Sequence, residues 1–255
     1  MAPAPNNLLR WLAFMAVAVP ALIGVALAAD PPSMTALPAL NPLVESGATP
    51  PPPWRIEGLP GQRKPYTRFD IAVVDGERVL RVEADHAYGN LVHATQLGPG
   101  GPHLLSWRWR VEEHPAQADL RQRDTEDMPL RVCALFDMPL ASVPFLERQL
   151  LRAMRLKAQG PLPAASVCYV WDSRLPPGAM LPSPYTRRIR YVVLHGPESP
   201  LHAWHHEHRD IYADFLLLFG NESTTVPPLV AVLVGADTDN THSHSLAHLT
   251  ALDLH

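Results

Sequence analysis

From Trp54 onward the chain runs in short stretches that alternate apolar and polar residues, broken by Gly, Pro, Asp and Asn. Runs of about four to eight residues with period two are the pattern of half-buried strands. Phe69–Val74 and Arg78–Glu83 flank Asp75-Gly76, a dipeptide whose two positions tolerate positive φ and so suit a tight hairpin turn. Leu91–Leu97 and Leu104–Val111 are separated by Gly98-Pro99-Gly100-Gly101-Pro102, a loop by composition. In Leu104–Val111, Trp107, Trp109 and Val111 share one face and Arg108 and Arg110 the other, which predicts two core tryptophans. Leu130–Phe136, Ser166–Trp171, Ile189–Leu194, Leu229–Val234 and Ala247–Leu254 complete the predicted strands.

Two segments break this period. Val143–Lys157 places Phe145, Leu146, Leu150, Met154 and Leu156 at three- and four-residue spacings, with basic residues toward its end, and predicts an amphipathic helix. Asp210–Phe219 predicts a second helix, with Asp210 as N-cap and Gly220-Asn221 as the stop. The pattern as a whole predicts a mostly β fold: an antiparallel β-sandwich, jelly-roll-like, with two short inserted helices. No internal repeat is present.

The first residues change the picture of where this domain works. Arg10 precedes Trp11–Ala29, a run without charge that closes on Ala26-Leu27-Ala28, the small-residue pattern of a cleaved leader. An uncleaved anchor is the competing reading, since roughly 17–25 apolar residues span a bilayer. Pro20 and the small-residue site favour cleavage after Ala28, which places the protein in the periplasm or outside the cell. Contact with a membrane is then expected only through an uncleaved leader. Residues 29–53 carry Pro31-Pro32, Pro38, Pro42 and Pro50–Pro53 and are expected to be an extended linker. Residues 54–255 remain as a single β-sandwich domain, about 200 residues and large enough for a sizeable core.

A net charge of −4 and no basic run longer than Arg187-Arg188 exclude the electrostatic footprint of a nucleic-acid partner. The 13 histidines would turn the balance positive in mild acid. The two cysteines, Cys133 and Cys168, fall in two predicted strands; outside the cytoplasm an even count leans toward a disulfide, while buried free thiols are the alternative.

The residues also match a family. The chain resembles the exported bacterial family named domain of unknown function 3047 over nearly all of Trp54–His255. The match is carried by Trp107-Arg108-Trp109-Arg110-Val111, by Glu126-Asp127 with Arg131 and Phe136, and by Tyr169-Val170-Trp171. It continues through Ser183-Pro184-Tyr185-Thr186, Trp204, Glu207-His208-Arg209-Asp210, Asp214, Phe219-Gly220 and Asp237-Thr238-Asp239-Asn240-Thr241. The resemblance implies a sandwich similar in outline to carbohydrate-binding modules. His242 stands where relatives often have Gly, so the shape of the tail loop is not carried over.

Several constellations are candidates for chemistry. Asp237, Asp239 and Asn240 follow a strand and offer closely spaced oxygens to Ca²⁺, although the Gly and Glu of an EF-hand are missing; a plain Asx-rich turn is the alternative. No other cofactor is expected. His202, His205, His206 and His208 could ligate Zn²⁺, but the H-E-x-x-H pattern fails and surface histidines are the simpler reading. Glu126, Asp127 with Arg131, and Glu207 with Arg209, are either ion pairs bracing strand ends or a ligand-facing set. Trp204 and Tyr185, each among polar neighbours, are the candidate sugar-stacking aromatics. No G-x-S-x-G elbow, phosphate-binding glycine loop or dinucleotide fingerprint is present. The leading expectation is a non-enzymatic binding domain for a glycan or envelope component. The alternatives are a glycan hydrolase with carboxylates among Glu126, Asp127 and Glu207, or a structural envelope protein.

Overall fold

The computed structural model describes residues 46–59, 61–156 and 162–255. The expected leader, and the linker as far as residue 45, lie outside them. Among the described residues no helix is long and apolar enough to cross a membrane.

Two sheets pack face to face. The larger has seven strands, in the spatial order β1 (Arg55–Glu57), β4 (Tyr88–Leu97), β11 (Leu229–Asp237), β6 (Met128–Phe136), β7 (Ala165–Trp171), β9 (Ile189–His195) and β8 (Met180–Pro182). The smaller has five: β10 (His205–Asp210), β5 (Leu104–Glu113), β12 (His244–Leu254), β3 (Glu77–Asp85) and β2 (Arg68–Val74). Helix α1 (Phe145–Arg155) lies between β6 and β7 in sequence, and α2 (Ile211–Phe219) follows β10. The result is the mostly β, jelly-roll-like sandwich with two helices that the pattern predicts. One pairing departs from the antiparallel expectation: β7 and β9 run parallel. The long connection between them makes this feasible, because parallel neighbours need a crossover rather than a hairpin.

The core follows from alternation. On β5, Leu105, Trp107, Trp109 and Val111 are fully buried, while Arg108 and Arg110 stay partly exposed. Across the sandwich they meet Tyr169 and Trp171 of β7. The Trp107–Tyr169 centroids are 5.3 Å apart, and Trp109–Trp171 6.1 Å apart and nearly edge-on. Such aromatic pairs add about 0.5–1.5 kcal/mol beyond the area they bury. Local signals hold as well. Asp75 and Gly76 adopt φ of 53° and 80°, the left-handed pair a two-residue hairpin needs. The Asp210 carboxylate accepts from the N–H groups of Tyr212 and Ala213 and caps α2.

Alternation fails on β6 and β7, where every residue is buried. Their outer face carries a second apolar layer, in which Cys133, Leu135, Cys168, Val170, Tyr191 and Val193 pack with Leu181 of β8 and with Leu120 and Leu175 from the covering loops. The β6–β7 register sets Cys133 opposite Cys168, and their sulfurs are bonded. Helix α1 also departs from its pattern. Its apolar stripe faces largely outward: Leu151 is buried, but Phe145, Leu146, Leu150 and Met154 are exposed. Three strands carry no predictive signal: β1 and β8 are three residues long, and β10 reads His-His-Glu-His-Arg-Asp, without an apolar position.

The tryptophan pair sets an expectation for stability. Trp109→Ala should lower the unfolding free energy by about 3–5 kcal/mol, the usual cost of emptying a large core site. Val73→Ala, at an exposed position of β2, should stay within about 0.5 kcal/mol of the parent in the same urea titration.

Candidate functional site

A cation on the outer face of the larger sheet begins the site. Arg131 interrupts the apolar run of β6 and is buried. Its Nε and Nη2 donate to Asn90 Oδ1 on β4, at 3.2 and 2.9 Å, and its Nη1 lies 3.8 Å from Asp237 Oδ2 at the end of β11. The guanidinium also sits over the Tyr88 ring, 5.2 Å from its centroid. Gly235 makes this reach possible. A Cβ there would fall 2.4 Å from Asn90 Oδ1 and 2.8 Å from Arg131 Nε. Burial opposes the charge of Arg131, but the surrounding Tyr88, Asp237, Tyr191 and Glu126 outweigh it and keep the cation charged.

Carboxyls gather around that cation. Glu126 precedes β6, and its Oε1 accepts from Ser183 Oγ and Tyr191 Oη, both at 2.6 Å. Burial nevertheless pushes its pKa above the usual carboxylate value. Asp237 is pushed well above that value, first by burial and then by its side-chain hydrogen bond with Asp239. For Asp239 burial works the other way from the net result: hydrogen bonds with Asp237 and Lys64 hold its pKa below the usual value. The two neighbouring acids are thus shifted in opposite directions. Desolvation sets the first and hydrogen bonding the second.

Asp127 does different work. Its two oxygens accept from the N–H of Asn240 at 3.2 Å and from the N–H and hydroxyl of Thr241 at 2.7 and 2.5 Å. Asn240 Nδ2 in turn donates to the Glu126 carbonyl at 3.0 Å. The tail loop is therefore pinned onto the start of β6. Tyr185 Oη donates to the Arg123 carbonyl at 2.8 Å and approaches Asn240 Oδ1 at 3.3 Å, leaving the ring half exposed.

These side chains line the polar end of an open groove of about 480 Å³. Of the residues expected from sequence, Glu126, Arg131, Tyr185, Asp237, Asp239 and Asn240 line it, and Asp127 supports it from behind. Trp204, Glu207 and Arg209 do not reach it. Trp204 stacks under the Arg108 guanidinium beside the smaller sheet. Glu207 on β10 accepts from His195 Nε2 at 2.7 Å and from the Trp109 indole N–H at 3.0 Å. Arg209 forks onto Asp214 at 2.6 and 3.0 Å, and Asp214 accepts from Tyr169 Oη. Those three brace the sandwich edge, and a single stacking surface containing both Trp204 and Tyr185 does not form. Lys64, Tyr88, Asn90, Ser183 and Tyr191 belong to the groove but were not anticipated. For Asn90 and Tyr191 a signal existed, in that each puts a polar group inside an apolar strand.

Asp127, Asp237 and Asp239 each offer a carboxylate oxygen within 4.8 Å of the others, the one such three-ligand cluster among the described residues. Calcium wants about six to eight oxygens. Here Asp127 is saturated by three donors, Lys64 sits on Asp239, and Asp237 lies 3.8 Å from the Arg131 guanidinium. A cation would have to displace all of these, so the arrangement fits a hydrogen-bonded brace better than a calcium cage.

Two outcomes follow for solution work. Melting temperatures in millimolar CaCl₂ and in chelator should agree within about 1 °C, since only a ligand that binds the folded state raises stability. A calcium-dependent rise that Asp239→Ala abolishes would restore the metal reading. The second outcome concerns pH. An acid whose folded pKa is raised stabilises the fold only while protonated. Asp237 therefore costs stability as pH rises from about 4 toward its raised folded value. Urea titrations across pH 4–8 should show Asp237→Asn removing part of that decline, up to ~1.4 kcal/mol per pH unit where the group titrates. Parallel curves for the two proteins would contradict the assignment.

Solved structures give only a likeness of outline. The xyloglucanase domain of NopAA, a type three effector from Sinorhizobium fredii in complex with cellobiose, superposes with a TM-score of 0.40 and 7% identity over 73% of this chain and 87% of that one. A loop-swap mutant of Necallimastix patriciarum Xyn11A gives 0.33 and 11% over 79% and 90%. At these scores neither residue roles nor activity are carried across. A search of curated proteins found no match. A model of the family described as "Protein of unknown function (DUF3047)" matches residues 52–252, and the chain belongs to that family.

Proposed function

We propose that the chain is a binding domain working outside the cytoplasm, which holds a hydroxyl-rich group, a glycan unit of an envelope component, at the polar end of the groove. The observation that carries this reading is the buried set of Glu126, Arg131 and Asp237 lining an open groove instead of a closed core. Taking charged groups out of water costs several kcal/mol per ion unless they are well partnered. A fold that needed only stability would do as well with apolar residues there. Donors and acceptors also share the wall: Lys64, Asn90 and the hydroxyls of Ser183 and Tyr185 line it together with the carboxyls. That mixture suits hydroxyl groups, which both donate and accept. An open concave groove also speaks against a purely structural role, for which a closed convex surface would serve. The location rests on the leader expected over residues 1–28.

A second reading is favoured by one observation. Glu126, Asp237 and Asp239 bring three carboxyl groups to one open groove, and hydrolysis of a glycosidic bond employs a pair of carboxyls across a cleft. On that reading Asp237 is the general acid and Glu207, far from the groove, takes no part.

A glycan array followed by calorimetry on the best binder tests both. Tyr185→Ala should weaken binding at least about fivefold, as loss of an anchoring aromatic costs above ~1 kcal/mol. Trp204→Ala should leave affinity unchanged. Equal loss from both variants, or loss from Trp204→Ala alone, would move the site away from the groove. Reducing ends that accumulate with the parent protein but not with Asp237→Asn would establish the hydrolase reading instead.

A further inference from the structure

The groove changes character along its length. Beyond Arg131 the floor becomes the Cys133–Cys168 disulfide, Leu135 and Leu233, and the walls are Ile189 on one side and Leu150 and Met154 of α1 on the other. A second depression of about 130 Å³ runs on from it under the helix, adding Leu151, Leu162, Pro163 and the paired Glu147 and Arg188, and sharing Leu150, Met154 and Ile189 with the first. One continuous trough therefore leads from a cluster of hydrogen-bonding groups into a slot with apolar sides. Its volume lies in the roughly 300–1,000 Å³ range of small-molecule sites.

Helix α1 adds an independent observation. Phe145, Leu146, Leu150 and Met154 are 64%, 80%, 54% and 46% exposed, although their spacing is that of a buried stripe. Apolar residues contiguous on a surface and bordering a polar rim mark a site for an apolar ligand. The charges at the other end restrict the head. Arg131 is engaged by Asn90 and faces Asp237, and Lys64 pairs with Asp239. Neither a phosphate nor a quaternary amine would meet a counter-charge that is free to receive it, whereas hydroxyls can join the existing hydrogen bonds.

We propose that the groove takes an amphiphile, with an uncharged hydroxyl-bearing head at the Glu126–Asp237 end and an aliphatic chain lying over the disulfide and beneath α1. This rests on the binding reading above and specifies the remainder of the ligand. Each methylene removed from water strengthens binding about fourfold when fully buried. Affinity should thus climb with chain length until the trough is filled, and then level off.

Alkyl maltosides from hexyl to dodecyl, each kept below its micelle-forming concentration, provide the test by calorimetry on the purified protein, with maltose as the reference. The expected result is a two- to fourfold gain per methylene over the first part of the series and a plateau after it, at one ligand per chain. Leu150→Asp combined with Met154→Asp replaces exposed side chains, so the fold should survive, as circular dichroism will verify. This variant should abolish the dependence on chain length and leave maltose binding as it was. A flat series, or the same slope in the double variant, overturns the amphiphile inference. Dodecanoate or dodecylphosphocholine binding more tightly than dodecyl maltoside overturns the uncharged head. If a glycan binds while chain length is irrelevant, the binding reading stands and this inference alone fails. If no glycan and no alkyl maltoside binds, both fail.

Discussion

Arg131 is a full positive charge held out of water in the middle of a sheet face, and much of the larger sheet is arranged to make that tolerable. A buried cation costs several kcal/mol unless hydrogen bonds and opposite charges return the loss. Asn90 from β4 supplies the hydrogen bonds, and Asp237 at the end of β11 faces the guanidinium. Gly235 keeps the ground between them clear. Because β4, β11 and β6 are adjacent, one side chain ties three strands together on the side away from the core. The cluster cannot be dismantled piecemeal. Removing Asp237 leaves the cation with less compensation, and filling Gly235 pushes it off Asn90.

The sandwich holds this cluster still from behind. Trp107 and Trp109 lock β5 against Tyr169 and Trp171 of β7, and β7 is joined to β6 both by its ladder and by the Cys133–Cys168 bond on the opposite face. The strand that carries Arg131 is therefore packed on one side and covalently stapled on the other. Tyr169 extends the brace further, through Asp214 to Arg209 at the edge of the smaller sheet. That edge consumes residues which, by composition alone, look like a ligand site.

Legibility in the sequence divides along this line. Where local rules decide, they are readable: the Asp75-Gly76 turn, the Trp107/Trp109 face and the Asp210 cap each depend on neighbours within a few residues. The acidic part of the groove was visible as two separate clusters, Glu126-Asp127 and Asp237–Asn240. Their meeting depends on the β11–β6 register, which pairs Asp237 with Met128 and which local pattern does not encode. Trp204, Glu207 and Arg209 lie on the smaller sheet's edge, away from the groove, because β10 pairs with β5 and not with a strand of the larger sheet; local pattern does not encode that choice of partner. Helix α1 shows the limit of periodicity most clearly. A three-four spacing establishes that apolar groups share a face, but not that the protein itself covers that face.

Charge geometry at the groove also sets which part of it can change. Arg131 is buried and engaged on several sides, so it is fixed. Lys64 reaches Asp239 from a side chain that is about half exposed, 49% against 7% for the carboxylate it meets. An ion pair of that kind contributes ~0–1 kcal/mol, because solvent screens it and holding the long side chain costs entropy. Its loss is therefore easily offset by a ligand. Swinging Lys64 outward would uncover the Asp239 carboxyl beside that of Asp237. A hydroxyl can hydrogen-bond to both carboxyl groups at once, whereas a carboxylate or phosphate would be repelled by the uncovered Asp239. An uncharged, hydroxyl-bearing head, as proposed for the groove, would use these contacts without displacing Arg131 from Asn90.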